Sequence, residues 1–415
     1  MARRIVADYP LVLTALALSL LGSAMVYSAG RTDVPTYVGG LYKPQIVWLI
    51  LGLFTAYMVT RTSVRLIQWL TVPAYALSVI LLALTLVIGT GAGTAASTKS
   101  WLAIGGVRIG QPAELAKVTV VLMLAQVLAA RRDSPTSLLD LWKPAMVVAV
   151  PWLMIMAQPD LGSGIAFIGI FFAMLYWSGV AWPLLLLLAS PAISLVLSFS
   201  TGLWGAWFLV LLALVLYYRP FLVEGIVLML ANVATGVVAP VLWEKLKPYQ
   251  QNRLRVFIDP SFDPKASGYQ VIQSKISIGS GGLFGKGFTE GTQKRLAFLP
   301  AQHTDFIFAV VGEELGFIGV MFTLTLLTVL LLRATRIAER ANDAFGGLVA
   351  FGLMASWLVH VVVNIGMTLN LMPITGIPLP FFSYGGSFML ATWLSVGILL
   401  RISGEGRGRA GARVD

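Results

Sequence analysis

Cysteine is absent from the chain, which excludes disulfides and thiolate metal sites and removes any sign of the redox compartment. The two histidines stand 57 positions apart, at 303 and 360, too sparse for a histidine-rich metal site. Charge is scarce as well: 11% of the 415 residues are Asp, Glu, Lys or Arg, where a soluble domain carries roughly 25%. Two catalytic signatures are missing. The glycine-rich run Ile278 to Gly287 (IGSGGLFGKG) follows Lys286 with Gly287, so it is not the phosphate loop of a nucleotidase, and a tight re-entrant turn is its plainer reading. Neither G-x-S-x-G nor S-x-x-K marks a serine acyl-transferase.

What is present is apolar. The chain is 58% hydrophobic with a mean hydropathy of +0.85, which places it among all-α, polytopic membrane bundles. Measured against the roughly 20 residues needed to cross a bilayer, twelve spans are expected: Pro10–Ser28, Gln45–Thr60, Leu66–Ile88, Pro112–Ala129, Pro144–Ala157, Leu161–Trp177, Pro183–Phe199, Leu203–Tyr218, Phe221–Pro240, Thr304–Leu332, Phe345–Met367 and Gly386–Ile402. The first apolar run lacks a small-residue cleavage site after it and reads as an anchor. With the N-terminus inside, fifteen Lys and Arg fall in inner segments against four in short outer loops, as the positive-inside rule requires. Both termini are then cytoplasmic, and the one large loop, about 241–303, lies on the outer face. Membrane topology and anionic lipids account for the net charge of +11, so nucleic acid is not an expected partner.

Chemistry concentrates where that loop re-enters the membrane. Gln302, His303, Asp305, Glu313 and Glu314, with Arg295 upstream, crowd the start of one span. A charge at the bilayer centre costs about 2.5–3.5 kcal/mol on insertion scales, so these groups must face a cavity or a partner. Asp305, at the junction of loop and helix, is the best candidate for a general base, with helix capping as the alternative. The loop interleaves nine cations, Lys275 among them, with aromatics, which suits an anionic amphiphile such as a lipid-linked diphosphate, or simply anionic headgroups. Glu114 and Lys117 lie three apart on one helix face and form a pair that is either structural or part of the site. Asp160, in QPDLGSG, is level with them. Asp160, Asp305 and Glu314 offer oxygen ligands to a hard divalent cation, magnesium or manganese. Glu224 has no evident partner. The uncharged, Pro- and Gly-rich run Asn364 to Gly386, with Ser383 and Tyr384, walls the same site.

Taken together, QPAELAK (111–117), QPDLGSG (158–164), GYQVIQSKISIGSGGLFGKG (268–287), EGTQ (290–293), FLPAQHTDFIF (298–308), EELG (313–316) and residues 364–386 resemble the SEDS family of cell-wall polymerases, on its elongation branch. The likeness runs from the first span to the last as a single domain, 1–415. It departs at Ser100 and Ala113, and in an apparent extra hairpin at about 183–218 beyond the family's usual ten spans. The resemblance implies a peptidoglycan glycosyltransferase of the bacterial inner membrane that polymerises lipid II, with Asp305 on the family's essential aspartate, Glu114, Lys117, Asp160, Lys275, Gln302, His303, Glu313, Glu314, Ser383 and Tyr384 around the cavity, and a class B penicillin-binding protein as partner. A lipid II flippase and a non-catalytic scaffold are the rival readings.

Overall fold

A segment cut off from water must satisfy every backbone N–H and C=O internally, and this chain does so almost entirely with helices. The computed structural model describes residues 8–33, 36–91, 100–104, 107–131, 133–218, 221–245, 251–252, 255–257, 259, 267–299 and 301–410. The helices are α1 (Tyr9–Ala29), α2 (Tyr42–Thr60), α3 (Val64–Ile88), α4 (Pro112–Ala129), α5 (Trp142–Ala157), α6 (Leu161–Trp177), α7 (Trp182–Leu197), α8 (Thr201–Tyr218), α9 (Leu222–Lys245), α10 (Ser267–Ser280), α11 (Ile307–Glu339), α12 (Ala344–Thr368) and α13 (Gly386–Ala410). All twelve expected spans are present, ten of them long and apolar enough to cross a bilayer and two, α6 and α7, shorter. The protein is a multi-pass membrane protein. A two-stranded antiparallel hairpin, β1 (Leu102–Ile104) and β2 (Val107–Gly110), leads into α4.

Proline at the first turn starts α1, α4 and α7, where its missing N–H would be unpaired in any case. The core sits on α4 and α12, which pack on each other and on α6, while α2 lies along α13 and α1 along α11. Burial separates centre from rim: 72% of the α4 window is enclosed, against 6% for α8. Helices α7 to α9 form a satellite with its own small core of Leu187, Leu211 and Leu228. Buried Asn232 on α9 donates to Ser190 Oγ at 2.8 Å and accepts from Ser194 Oγ at 2.5 Å, a polar tie between α7 and α9 of the kind that joins helices in lipid. Glu224, read from sequence as unpartnered, is buried and accepts from the Ser137 hydroxyl and from the Leu139 amide at 3.1 Å.

The described residues of the region 241–303 are more structured than a loop. α9 runs on to Lys245, α10 packs against α11, and a one-turn helix covers Thr292–Arg295. α11 itself extends past Leu332 to Glu339, because Arg333 finds a buried carboxylate: its Nε and Nη2 donate to Asp8 at 3.1 and 2.6 Å. The bundle thereby has two distinct ends. One gathers the starts of α4, α6, α11 and α13. At the other, a cavity of about 480 Å³ is lined by Arg131, Asp133, Ser134, Trp177 and Asp343.

Candidate active site

The glycine run 281–287 spends its amides on protein rather than on an anion. α11 bends at Gly316, whose φ of 64° lies in the left-handed region that only glycine adopts freely. The turn wraps that bend: Lys286 N and Gly287 N donate to Glu313 O and Glu314 O at 3.0 Å each, while Phe317 N and Ile318 N donate back to Gly282 O and Leu283 O. Backbone groups freed by the kink are thus satisfied by the turn, so the motif is a tight turn against α11.

Two ion pairs lock the same junction. Lys286 Nζ lies 2.8 Å from Glu313 Oε1, and Lys294 Nζ lies 2.8 Å from Glu314 Oε1 with both side chains fully buried. Lys294 also donates to Ser28 Oγ and Thr289 O, and the Ser28 hydroxyl donates to Glu314, so the buried charges have a complete set of partners. Ser277 on α10 and the Gln293 amide donate to Glu313. Of the two surroundings expected for these carboxylates, a cavity or a partner, Glu313 and Glu314 have the partner, a loop lysine each. Arg295 is likewise paired, with Asp33 and Glu290.

Asp305 sits on the turn immediately before α11. The helix N-cap is Phe306, which makes no side-chain cap of its own. The backbone of the turn is clamped from several sides. Asn364 Nδ2 on α12 donates to Asp305 O at 2.9 Å and to Ile377 O at 2.7 Å. Ser383 Oγ donates to Thr304 O at 2.6 Å, and Tyr384 N donates to His303 O at 2.9 Å. Gln45 on α2 donates to Ser383 O, which ties this connection to the bundle. The partly exposed Asp305 carboxylate rests over Gly376: a Cβ added there would stand 3.3 Å from Oδ2, and φ at Gly376 is +75°. Beside it, the buried His303 ring meets Tyr37 edge-on and lies 5.8 Å from Tyr384. Burial pushes His303 down to about 4, so the imidazole is neutral at ordinary pH. The neighbouring Gln302 is buried and donates to Ala29 O at 2.8 Å.

A second polar group lies along α4, α6 and α12. Lys117 Nζ is 2.9 Å from Glu114 Oε2, both nearly buried, and donates to His360 Nε2 at 2.8 Å. His360 Nδ1 is 2.9 Å from Pro378 O, an atom that can only accept, which places the ring proton on Nδ1. Asp160 caps α6 through Ser163 N and accepts from Gln111 Nε2 at 2.9 Å.

The structure thus draws His303, Asp305 and Tyr384 together at one end, with Gln302 and Ser383 beneath them as braces, and sets Glu114, Lys117 and Asp160 in the adjoining wall. Lys275 is exposed on α10. The proposed ligand trio for a divalent cation is not assembled: among the described residues no three His, Asp or Glu side chains stand together as a metal site. Glu314 is consumed by Lys294 and Ser28, and Asp160 by Gln111 and Ser163. One side chain escaped the sequence reading as a site residue, His360, and Asn364, placed at the head of the walling run, was given no partner of its own. Their signal was available, since they are polar, four apart, and lie on one face of an otherwise apolar span.

Comparison with known proteins bears on the family and the fold. The family model described as FtsW/RodA/SpoVE cell cycle protein matches residues 9–204 and 205–408. The peptidoglycan glycosyltransferase RodA of Treponema pallidum is 34% identical over 95% of this chain and 97% of its own length. The peptidoglycan glycosyltransferase MrdB of Escherichia coli is 35% identical over 95% of this chain and 93% of its own. Among solved structures, a chain from work on the structural coordination of polymerization and crosslinking by a peptidoglycan synthase complex superposes with a TM-score of 0.70, at 30% identity, covering 96% of this chain and 98% of that one. The rod shape determining protein RodA of Thermus thermophilus gives a TM-score of 0.62 at 28% identity, covering 95% and 96%.

Proposed function

This chain belongs to the FtsW/RodA/SpoVE family of cell cycle proteins and is a peptidoglycan glycosyltransferase, and from that premise we propose that it polymerises lipid II into glycan strands for cell elongation, releasing undecaprenyl diphosphate. The observation that carries the reading is the clamped turn at Asp305: a carboxylate at the edge of the membrane whose backbone is fixed by Asn364, Ser383 and Tyr384. Fixing a base in this way is what positions it for proton transfer.

In this reading the 4-hydroxyl of one disaccharide unit attacks the anomeric carbon of another. The new C–O bond forms as the C–O bond to diphosphate breaks, with inversion, and Asp305 takes the hydroxyl proton. The neutral His303, with Tyr37 and Tyr384, lines the adjacent wall without adding charge beside the base. Exposed Lys275 is available to the leaving diphosphate. No step is assigned to a metal ion, because Asp160 and Glu314 are committed elsewhere.

The active face is read as the outer one, with both termini cytoplasmic in the bacterial inner membrane. The polar groups Gln111, Asp160, His303, Asp305 and Tyr384 gather at one end of the bundle, as polymerisation requires and flipping between faces does not. A class B penicillin-binding protein is the partner that would cross-link the product, a reading supported by the likeness to a chain from a complex that coordinates polymerization and crosslinking. Helices α7 and α8 are read as an addition to a ten-span plan; a pair leaves the outer face unchanged.

The test is incubation of the purified protein with lipid II, alone and with its partner, with and without magnesium or manganese, followed by glycan-chain analysis. Glycan strands from the wild type support the reading. Intact lipid II under every condition, with a folded protein, removes it.

A further inference from the structure

The Glu114–Lys117 pair is enclosed on all sides, and its third partner is what distinguishes it from an ordinary buried ion pair. Lys117 donates to His360 Nε2, and the opposite nitrogen of the same ring donates to Pro378 O. Pro378 is two residues beyond Gly376, over which the Asp305 carboxylate rests. Four residues along α12, Asn364 binds the intervening Ile377 O and the Asp305 carbonyl. Phe388, at the start of α13, stacks on the His360 ring at 4.9 Å and lies 5.4 Å from the Lys117 ammonium, so the ring is held face and edge. His360 therefore bridges the α4 charge pair to the short backbone stretch that floors the base.

We infer that His360 is a positioning residue, and that the Glu114–Lys117 pair acts on the reaction through His360 and Pro378 by setting the height of the 376–378 floor under Asp305, not by touching substrate. The inference rests on the glycosyltransferase reading of Asp305, and it explains why three buried polar side chains lie in line where apolar packing would cost less. A misplacement of about 1 Å at a reacting group costs roughly a hundredfold in rate, so a lowered floor is read in kcat.

Two measurements test it on the purified full-length protein. The first is amide hydrogen exchange, independent of activity. The variant Glu114→Gln with Lys117→Met removes both charges at once, and it is expected to speed exchange at residues 379–383 at least tenfold while leaving the amides of α1 unchanged. Wild-type exchange at 379–383 in that variant overturns the relay. The second is lipid II turnover. The neutral-pair variant, His360→Leu and their combination are each expected to lower kcat about a hundredfold, with KM within twofold and the combination no worse than either part. Losses that multiply, or a raised KM in the neutral-pair variant while His360→Leu keeps its kcat, would mean that Lys117 meets substrate itself and would overturn the assignment. If His360→Leu does not fold, His360→Asn replaces it: Asn retains a donor for Pro378 O, falls short of Lys117, and is expected to show the same fall in kcat. Should the wild type form no glycan, the functional reading fails while the exchange measurement still decides the relay.

Discussion

Lys294 and Glu314 meet at 2.8 Å with both side chains fully enclosed, one from the one-turn helix Thr292–Arg295 and the other from the kinked start of α11. Ser28 of α1 touches both. Three separated stretches of sequence therefore meet in one charge network.

Breaking that network on one side leaves a buried charge without its partner. Lys294→Met or Glu314→Gln alone is expected to cost about 3–5 kcal/mol, whereas Lys294→Met with Glu314→Leu restores much of the loss by removing both charges. Thermal unfolding in detergent, with size-exclusion profiles, reads this. A double variant as unstable as the sum of the singles would show that the pair does not act as a unit.

Asp305→Asn keeps the size of the side chain and leaves the clamps on its backbone untouched. The variant is expected to insert normally, keep its melting temperature and lose about 10²- to 10⁴-fold in glycan synthesis, the range for a missing general base. Near wild-type synthesis at normal protein level would take Asp305 out of the mechanism.

His303 sets a pH window. Its folded value is about 4 against 6.5 for the free side chain, so between these values the unfolded chain binds a proton that the folded one does not. Stability is therefore full above pH 6.5, declines as pH falls toward 4, and stops responding to this group below that. His303→Gln is expected to flatten the 6.5-to-4 limb of a melting-temperature profile. An unchanged slope would place the titration elsewhere.

The absence of native cysteine makes topology directly measurable. Lys275→Cys, on the exposed face of α10, is expected to react with an impermeant thiol reagent in intact cells, while Asp133→Cys, at the opposite end of the bundle, reacts only after lysis. The reverse pattern inverts the assigned orientation.

Much of this protein was legible from its residues alone. Twelve apolar runs gave twelve helices because a bilayer leaves the backbone no alternative, and the Glu114–Lys117 pair followed from helical spacing. The polar residues of the candidate site were also visible, since polar side chains in an apolar span stand out. What the sequence left open was their partners. Glu313 and Glu314 read as cavity carboxylates, yet lysines 27 and 20 positions upstream consume them; the linear string carries no hint of that fold-back. Asp160 and Glu314 looked like metal ligands beside Asp305, but local capping and a buried ion pair hold them apart from it. His360 had no visible role until α12 was laid between α4 and the Gly376–Pro378 stretch. Composition and periodicity decide which segments leave water, because those are local free energies. Which charges meet inside depends on close approach between separate segments, as with Asp8 and Arg333, 325 positions apart, and only the packed bundle decides that.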